Sequence, residues 1–477
     1  MSTRRQALVT LGAIYLAALA MPLSFTGPAV ALPSIARAVS GGPLALAWVS
    51  NAFMLSWGSC LMVAGALADR FGRKRMFVIG VTSFASCSAA LSFSPNIVWL
   101  DLLRALQGIA GAVAFAGGLA ALAQEFEGPA RTRAFSVLGS VFGIGLAFGP
   151  MLAGWEIQQI GWRAVFLSVT VLASGAALLG AWYMKESRDP DAQRLDWRGA
   201  AASTVALTLM TWGVLRVPES GWRSIAVEAL LGGALVAMVA FVRIEIRTQR
   251  PMLDLSLFRY PRFWGVQFLA TAPAYSYVVL LVLLPIRLIG IDGYGDLKAG
   301  QMMIALSAPM LIVPIGASVL TRWFSSGLIC GTGLAISAMG LVWLAGADPA
   351  RPAETMILPM LVVGMGISLP WGLMDSLAVS IVPKERAGMA IGIFNTTRIA
   401  GEGIAMAVTY AVLAELAAST LRNALPAGYA PTILSEAGHR LAMGDWGHSI
   451  ALLPGISRDA LLACYTEAFH RLMYMLA

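Results

Sequence analysis

Long apolar stretches recur along the whole chain, separated by short polar connections. They fall at 7–33, 47–67, 76–94, 97–123, 134–155, 164–184, 199–217, 224–244, 263–289, 300–321, 327–346, 355–381 and 388–413, with a last one opening near 460. A helix crosses a hydrocarbon core of ~30 Å in about 20 residues. Strands of a membrane barrel are shorter, about 9–11 residues, and alternate in polarity. The pattern therefore predicts an all-α integral membrane protein of fourteen spans. The last is incomplete: from Ala460 to Ala477 it is short, and Glu467, His470 and Arg471 interrupt it.

Composition removes the soluble alternatives. Only 12% of the 477 residues are charged and 58% are hydrophobic, whereas a soluble domain carries about 25% charged residues. A net charge of +8 would suggest nucleic acid in a soluble protein. Here the basic residues cluster between apolar runs, which is an orientation signal. With the N-terminus in the cytoplasm, twenty lysines and arginines fall on inner connections and ten, Arg287 among them, on outer ones. The first run follows Arg4 and Arg5 like a cleavable leader, yet it continues past Val30 and many more follow, so it is read as the first span. Cys60, Cys87, Cys330 and Cys464 are scattered without metal or redox spacing and are read as packing residues.

Two polar stretches divide the chain. Lys185–Arg198 follows the sixth run and Arg243–Arg262 the eighth. The resulting plan is 1–185 as a six-helix bundle, 186–262 as an inserted helical hairpin with its linkers, and 263–477 as a second six-helix bundle. Two bundles imply a substrate path between them near the midplane. The outer segment 416–458 is long for a connection, and ILSEAGHRLAMGDWGHSIALL within it suggests a surface helix on the membrane.

Several motifs carry more than span count. GALADRFGRKR places Gly65, Asp69, Gly72 and Arg73 at the inner end of the second run. Gly65 lets a helix approach closely, Gly72 permits a tight turn, and Asp69 suits the positive N-terminus of another helix. LDLLRALQGIAGA puts Arg104 inside the fourth run with Asp101 three residues before it. A charge at the bilayer centre costs about 2.5–3.5 kcal/mol on insertion scales, so one that is kept has work to do. SVFGIGLAFGPMLAGW carries Gly143, Gly145, Gly149, Pro150 and Gly154 in the fifth run. Its glycines strip a helix face for close packing and its proline bends the rod.

These three motifs resemble the loop signature, the R-x-x-Q-G signature and the antiporter signature of the major facilitator superfamily. GWRAVF, LDWRG, PMLDLSLFR, GYGDLKAG and AGMAIGIFNTTRIAGEG are similar to sequences of its fourteen-span drug:proton antiporters. The resemblance implies a major facilitator fold of two bundles plus the inserted hairpin. It implies an inner gate at Gly65, Asp69, Gly72 and Arg73, with Glu125 or Glu127 as partner of Arg73. It also implies an exporter marked by the fifth-span motif.

Two positions depart from that pattern. Ser24 stands where many of these exporters carry a first-span aspartate, and Thr321 replaces an expected aspartate in the second-half loop. Other carboxylates must then handle the proton. Glu402 shares a face with Asn395 and Arg398, and Asp375 a face with Ser368 and Trp371. Proton coupling is assigned to Arg104, Asp101, Glu402, Arg398 and Asp375, with Glu402 favoured because it should lie near mid-depth.

No phosphate loop, H-E-x-x-H or G-x-S-x-G is present, so no enzyme and no cofactor is expected. His439, His448 and Asp445 are close in sequence but are not read as a metal site. The reading is a proton-coupled exporter of an amphipathic small molecule in the cell (inner) membrane. The implied partners are substrate, protons, the lipid bilayer and, across a double envelope, a periplasmic adaptor; nucleic acid is not one. A specific metabolite or lipid transporter, a uniporter, an importer and a non-transporting sensor are the competing readings.

Overall fold

The computed structural model describes residues 3–39, 41–126, 128–188, 196–221, 224–248, 259–346, 353–371, 373–374, 377–378, 387–425 and 429–477; some helical side chains within these stretches are not described. Helices make up nearly all of it, with no strand among the described residues. The first bundle comprises α1 (Thr3–Ala38), α2 (Pro43–Phe71), α3 (Arg73–Ser92), α4 (Ile97–Glu125), α5 (Gly128–Gln159) and α6 (Ala164–Tyr183). The hairpin is α7 (Trp197–Ser220) and α8 (Ile225–Arg247).

The second half opens with α9, a continuous rod over Pro261–Ile291. There follow α10, in two pieces Asp296–Ser307 and Pro309–Leu320, then α11 (Ser326–Ala345), α12 (Ile357–Trp371) and α13 (Ala387–Ala424). Two short helices, α14 (Pro431–Ala442) and α15 (Trp446–Leu452), precede α16 (Arg458–Leu476). Starts are set locally by caps: Asn96, Asp196, Ser325 and Ser457 each accept from a backbone amide of the first turn of α4, α7, α11 and α16.

Thirteen of the described helices are long and apolar enough to cross a membrane. The expected fourteenth, α16, has 19 residues, about 28 Å of helix. It falls outside that set because Asp459, Glu467, His470 and Arg471 lower its hydropathy. Its packing is that of a bundle member. In the first half α3 lies against α4 and α6; in the second half α11 lies against α12 and α16. Thus α16 takes in the second bundle the place that α6 takes in the first.

The two halves meet along two seams, α5 with α10 and α2 with α13. The hairpin is not peripheral to both seams: α7 touches α2, α13 and α14, so it lies over the α2–α13 seam. By contrast, α8 packs on α7 and buries only Val227, Ala234 and Glu245. Helix α14 does not lie free on a lipid surface. It packs on α13 through Gly438, where a Cβ would sit 2.7 Å from the Ala418 nitrogen, and it buries Leu434, Ala437, His439 and Leu441.

The two ends of the bundles are named here by their turns, the Gly72 face between α2 and α3 and the Gly161 face between α5 and α6. At the Gly161 face α5 and α10 touch backbone to backbone. A methyl on Gly154 would overlap the Asp296 carbonyl, and one on Gly300 the Pro150 carbonyl. Toward the Gly72 face the seam relaxes, with a Cβ on Gly143 at 3.8 Å from the Met310 carbonyl.

Candidate functional site

Helix α4 is wedged between α2 and α3 by its small residues. A methyl on Gly108 would overlap the Phe53 carbonyl, and one on Gly117 would lie 2.7 Å from the Phe77 nitrogen. This close approach seals Arg104 completely: its exposure is 0%. Its Nε donates to the Val49 carbonyl at 2.7 Å, and Nη1 to the Ser24 carbonyl at 2.9 Å, to Ser24 Oγ at 3.2 Å and to Gln107 Oε1 at 2.6 Å. The Phe53 ring lies 4.4 Å from the guanidinium carbon. Gln107 passes the network on, donating from Nε2 to Ser88 Oγ at 2.7 Å. Ser24, the position that departs from the pattern, is therefore in direct contact with Arg104. Gln107 and Ser88 were not among the expected site residues, although R-x-x-Q-G contains the glutamine. Asp101 lies a turn away, with Oδ1 enclosed and without a hydrogen-bond partner.

In the second bundle Glu402 is buried at 7% exposure. Its neighbours explain its placement: a Cβ on Gly401 would lie 2.9 Å from Thr271 Cγ2 of α9, and one on Gly403 would lie 3.5 Å from the Met54 Cβ of α2, so Glu402 sits where both bundles meet. Arg398, one turn below, lies over the rings of Trp371 and Phe394 at 5.6 and 5.9 Å. Asp375 and the side chain of Asp69 lie outside the described residues.

At the Gly72 face, Gly72 ends α2 and starts α3 with φ 109°, a conformation that favours glycine. The Arg73 guanidinium meets the side-chain oxygen of Gln124, next to Glu125; Glu127 lies outside the described residues. The principal anchor of this turn is a residue not singled out in the sequence. Glu186 accepts from the amides of Lys74 and Arg75, both at 3.1 Å, and the Arg73 amide donates to the Ser187 carbonyl at 2.8 Å. A carboxylate thus covers the positive start of α3. The close helix approach expected at Gly65 is not there: a Cβ added to it would meet nothing within 4 Å.

The fifth-span motif presents two faces. Gly145 and Gly149 admit Pro22 and Thr26 of α1, while Gly154 and the Pro150 carbonyl meet α10.

A second enclosed arginine emerges only in three dimensions. Arg287, counted from the sequence among outer-loop residues, lies inside α9 at 1% exposure. The rod is wound as π-helix over Ala274–Val278 and again over Ile286–Ile291, each stretch starting just after a proline, Pro273 and Pro285. Proline removes a donor and clashes one turn back, which displaces the bonding register. Arg287 Nε lies 3.5 Å from Asp292 Oδ2, and the guanidinium carbon lies 4.4 Å from the Phe469 ring centre of α16. The turn Met443–Asp445 presses on this region, Gly444 against Gly290. Asp445 is itself engaged by Arg440 at 3.1 Å and by His448 at 2.9 Å.

Comparison with known proteins fits this geometry. The chain is 31% identical over 395 residues to the multidrug resistance protein Stp of Mycobacterium tuberculosis, covering 82% of this chain and 73% of that one. It is 26% identical over 435 residues to the tetracenomycin C resistance and export protein of Streptomyces glaucescens, covering 91% and 80%. It is 32% identical over 393 residues to the cephamycin export protein CmcT of Amycolatopsis lactamdurans, covering 80% of each. Among solved structures, a bacterial homologue of the human lysosomal transporter Spinster, inward-facing and unoccupied, superimposes with TM-score 0.63 at 16% identity, over 100% of this chain and 94% of that one. A peptide transporter of the POT type gives TM-score 0.62 at 12% identity over 99% of each chain. The sequence profile of the Major Facilitator Superfamily matches residues 14–406. With two helical bundles in contact along two seams and most of its length matched by that profile, the chain is a multi-pass membrane protein that belongs to the Major Facilitator Superfamily of transporters.

Proposed function

We propose that this chain exports an amphipathic small molecule in exchange for protons by alternating access, with its N-terminus in the cytoplasm of a cell whose inner membrane it spans. The observation that carries the reading is the glycine-lined seam between α5 and α10. Gly154 and Gly300 bring backbones together at one face only, as expected of bundles that rock about a central site. The relatives named for multidrug resistance and for export of tetracenomycin C and cephamycin support the direction of transport.

In this reading Glu402 carries the proton. It is buried where α2, α9 and α13 converge, with Arg398 one turn away. Asp101 beside Arg104 is the alternative carrier. Asp69, Arg73, Gly65 and Gly72 form the inner gate, and Gly143, Pro150 and Gly154 the moving seam, while Gly145 and Gly149, expected there too, pack on α1 within the first bundle. The test is proton movement in energised inverted vesicles when amphipathic dyes of either charge are added. Glu402→Gln retains dye binding and loses linked proton movement. Unchanged coupling in that variant, with loss in Asp101→Asn, moves the assignment to α4; if neither matters, Asp375 is next.

A further inference from the structure

The surroundings of Arg104 are rich in neutral acceptors and poor in charge. Its three anchoring residues offer only neutral oxygens: two carbonyls, one hydroxyl and one amide. Its Nη2 is enclosed and has no partner. Among the described residues no carboxylate lies within 4.0 Å. The nearest acid on its own helix, Asp101, also keeps an enclosed oxygen without a partner. Neutral oxygens orient a guanidinium but do not cancel its charge, and an uncompensated charge in a low-dielectric site attracts a mobile counter-charge. The helices that cover the guanidinium, α1 through Ser24 and α2 through Val49, are those of the first bundle that touch α9 and α13 of the second. Bundle separation alone leaves both covering helices on the first bundle, so the cation is reached from the central path when α1 or α2 shifts against α4.

We propose that Arg104 receives the negatively charged end of the transported molecule, a carboxylate or acidic phenol, so that anionic amphipaths are the preferred substrate class. Arginine suits this task because Nη2, the nitrogen left without a protein partner, can donate a charge-assisted bond to a carboxylate while Nε and Nη1 stay anchored. The assignment rests on the exporter reading above and specifies its substrate. Ser24 is the neutral gap that permits it, since a carboxylate at that position would occupy the guanidinium from within the protein.

The test uses the purified full-length protein and two probes matched in all but charge, 4-(1-pyrenyl)butanoate and 4-(1-pyrenyl)butyltrimethylammonium. The wild-type protein binds the anion at least fivefold more tightly than the cation. Ser24→Asp, with its carboxylate near the 3.2 Å contact with Nη1, weakens the anion at least fivefold and spares the cation. Gln107→Glu is isosteric, puts the same charge on the 2.6 Å contact and gives the same result should Ser24→Asp fail to fold. Ser24→Ala, which removes the hydroxyl without adding charge, keeps the anion preference. A wild-type protein that binds the anion no more than fivefold better than the cation overturns the assignment. So does anion binding that changes less than fivefold in both acidic variants. Energised inverted vesicles separate the two levels. Anion binding without movement of either probe sinks the exporter reading and keeps the site; movement of the cation alone keeps the exporter and sinks the site.

Discussion

The seam at Gly154 offers a measurable test of how the two bundles are held. In Gly154→Ala the new methyl overlaps the Asp296 carbonyl and lies 2.8 Å from its carbon and 3.0 Å from the Leu297 Cα. All three are backbone atoms, so no side-chain rotation relieves the clash, and α5 and α10 must separate. Overpacking of this kind costs about 1–3 kcal/mol. The cost falls only on the conformer in which the Gly161 face is closed. At ~2 kcal/mol the population of the alternative conformer rises about 30-fold. Ser50 reports it: the residue is 1% exposed and stands beside Tyr410 across the α2–α13 seam. With Cys60, Cys87, Cys330 and Cys464 replaced by serine, Ser50→Cys should react with an impermeant maleimide about 30-fold faster when Gly154→Ala is present. Gly139→Ala is the control, because its Cβ meets nothing within 4 Å. Equal labelling rates in the two alanine variants, both folded, would refute the reasoning.

Three further outcomes follow from individual contacts. Glu186→Ala removes the carboxylate from the first turn of α3 and should cost about 1 kcal/mol, read as a lower Tm in detergent and faster proteolysis at the Gly72 face. Arg287→Ala strands Asp292 in the second bundle and should destabilise by about 3–5 kcal/mol; adding Asp292→Asn should recover more than a third of that loss in a denaturation series. Burial holds the His439 pKa below its usual value, with Glu436 and then Glu415 pulling it upward. An unfolded histidine binds its proton near pH 6.5 while the native one does not. Stability should therefore be full above pH 6.5 and fall as the pH drops from there, and His439→Gln should flatten that slope in a Tm series from pH 8 to pH 5.

Much of the architecture is legible from apolar run length alone, because lipid forces every backbone group into local helical bonding. Arg104 is legible for a related reason, since a charge in mid-run stands out. The rest depends on contacts between distant residues. Arg287 lies close to a polar stretch, so counting loop charges assigns it to the outer side; the π-helical winding after Pro285 that keeps it inside has no signature in hydropathy. The role of Glu186 is invisible because its partners are more than 110 residues earlier. Helix α16 looks too polar to finish a bundle, yet Cys464, Tyr465, Phe469 and Leu472 form a sufficient buried face. The surface helix expected within 416–458 is real as a helix, but its apolar stripe meets α13 rather than lipid.

The Glu186 contact also sets a schedule for biogenesis. Lys74 and its carboxylate partner are 112 residues apart. At about 5–20 residues per second, synthesis delivers that partner roughly 6–22 s after the turn. Until then the start of α3 has bare amides flanked by three consecutive basic residues, Arg73 to Arg75. The turn is thus held on its own side of the membrane by charge during insertion and is fastened only when the sixth helix has arrived. A chain interrupted between α5 and α6 would carry five helices and an unfastened turn, which gives quality-control proteases a local mark of incompleteness.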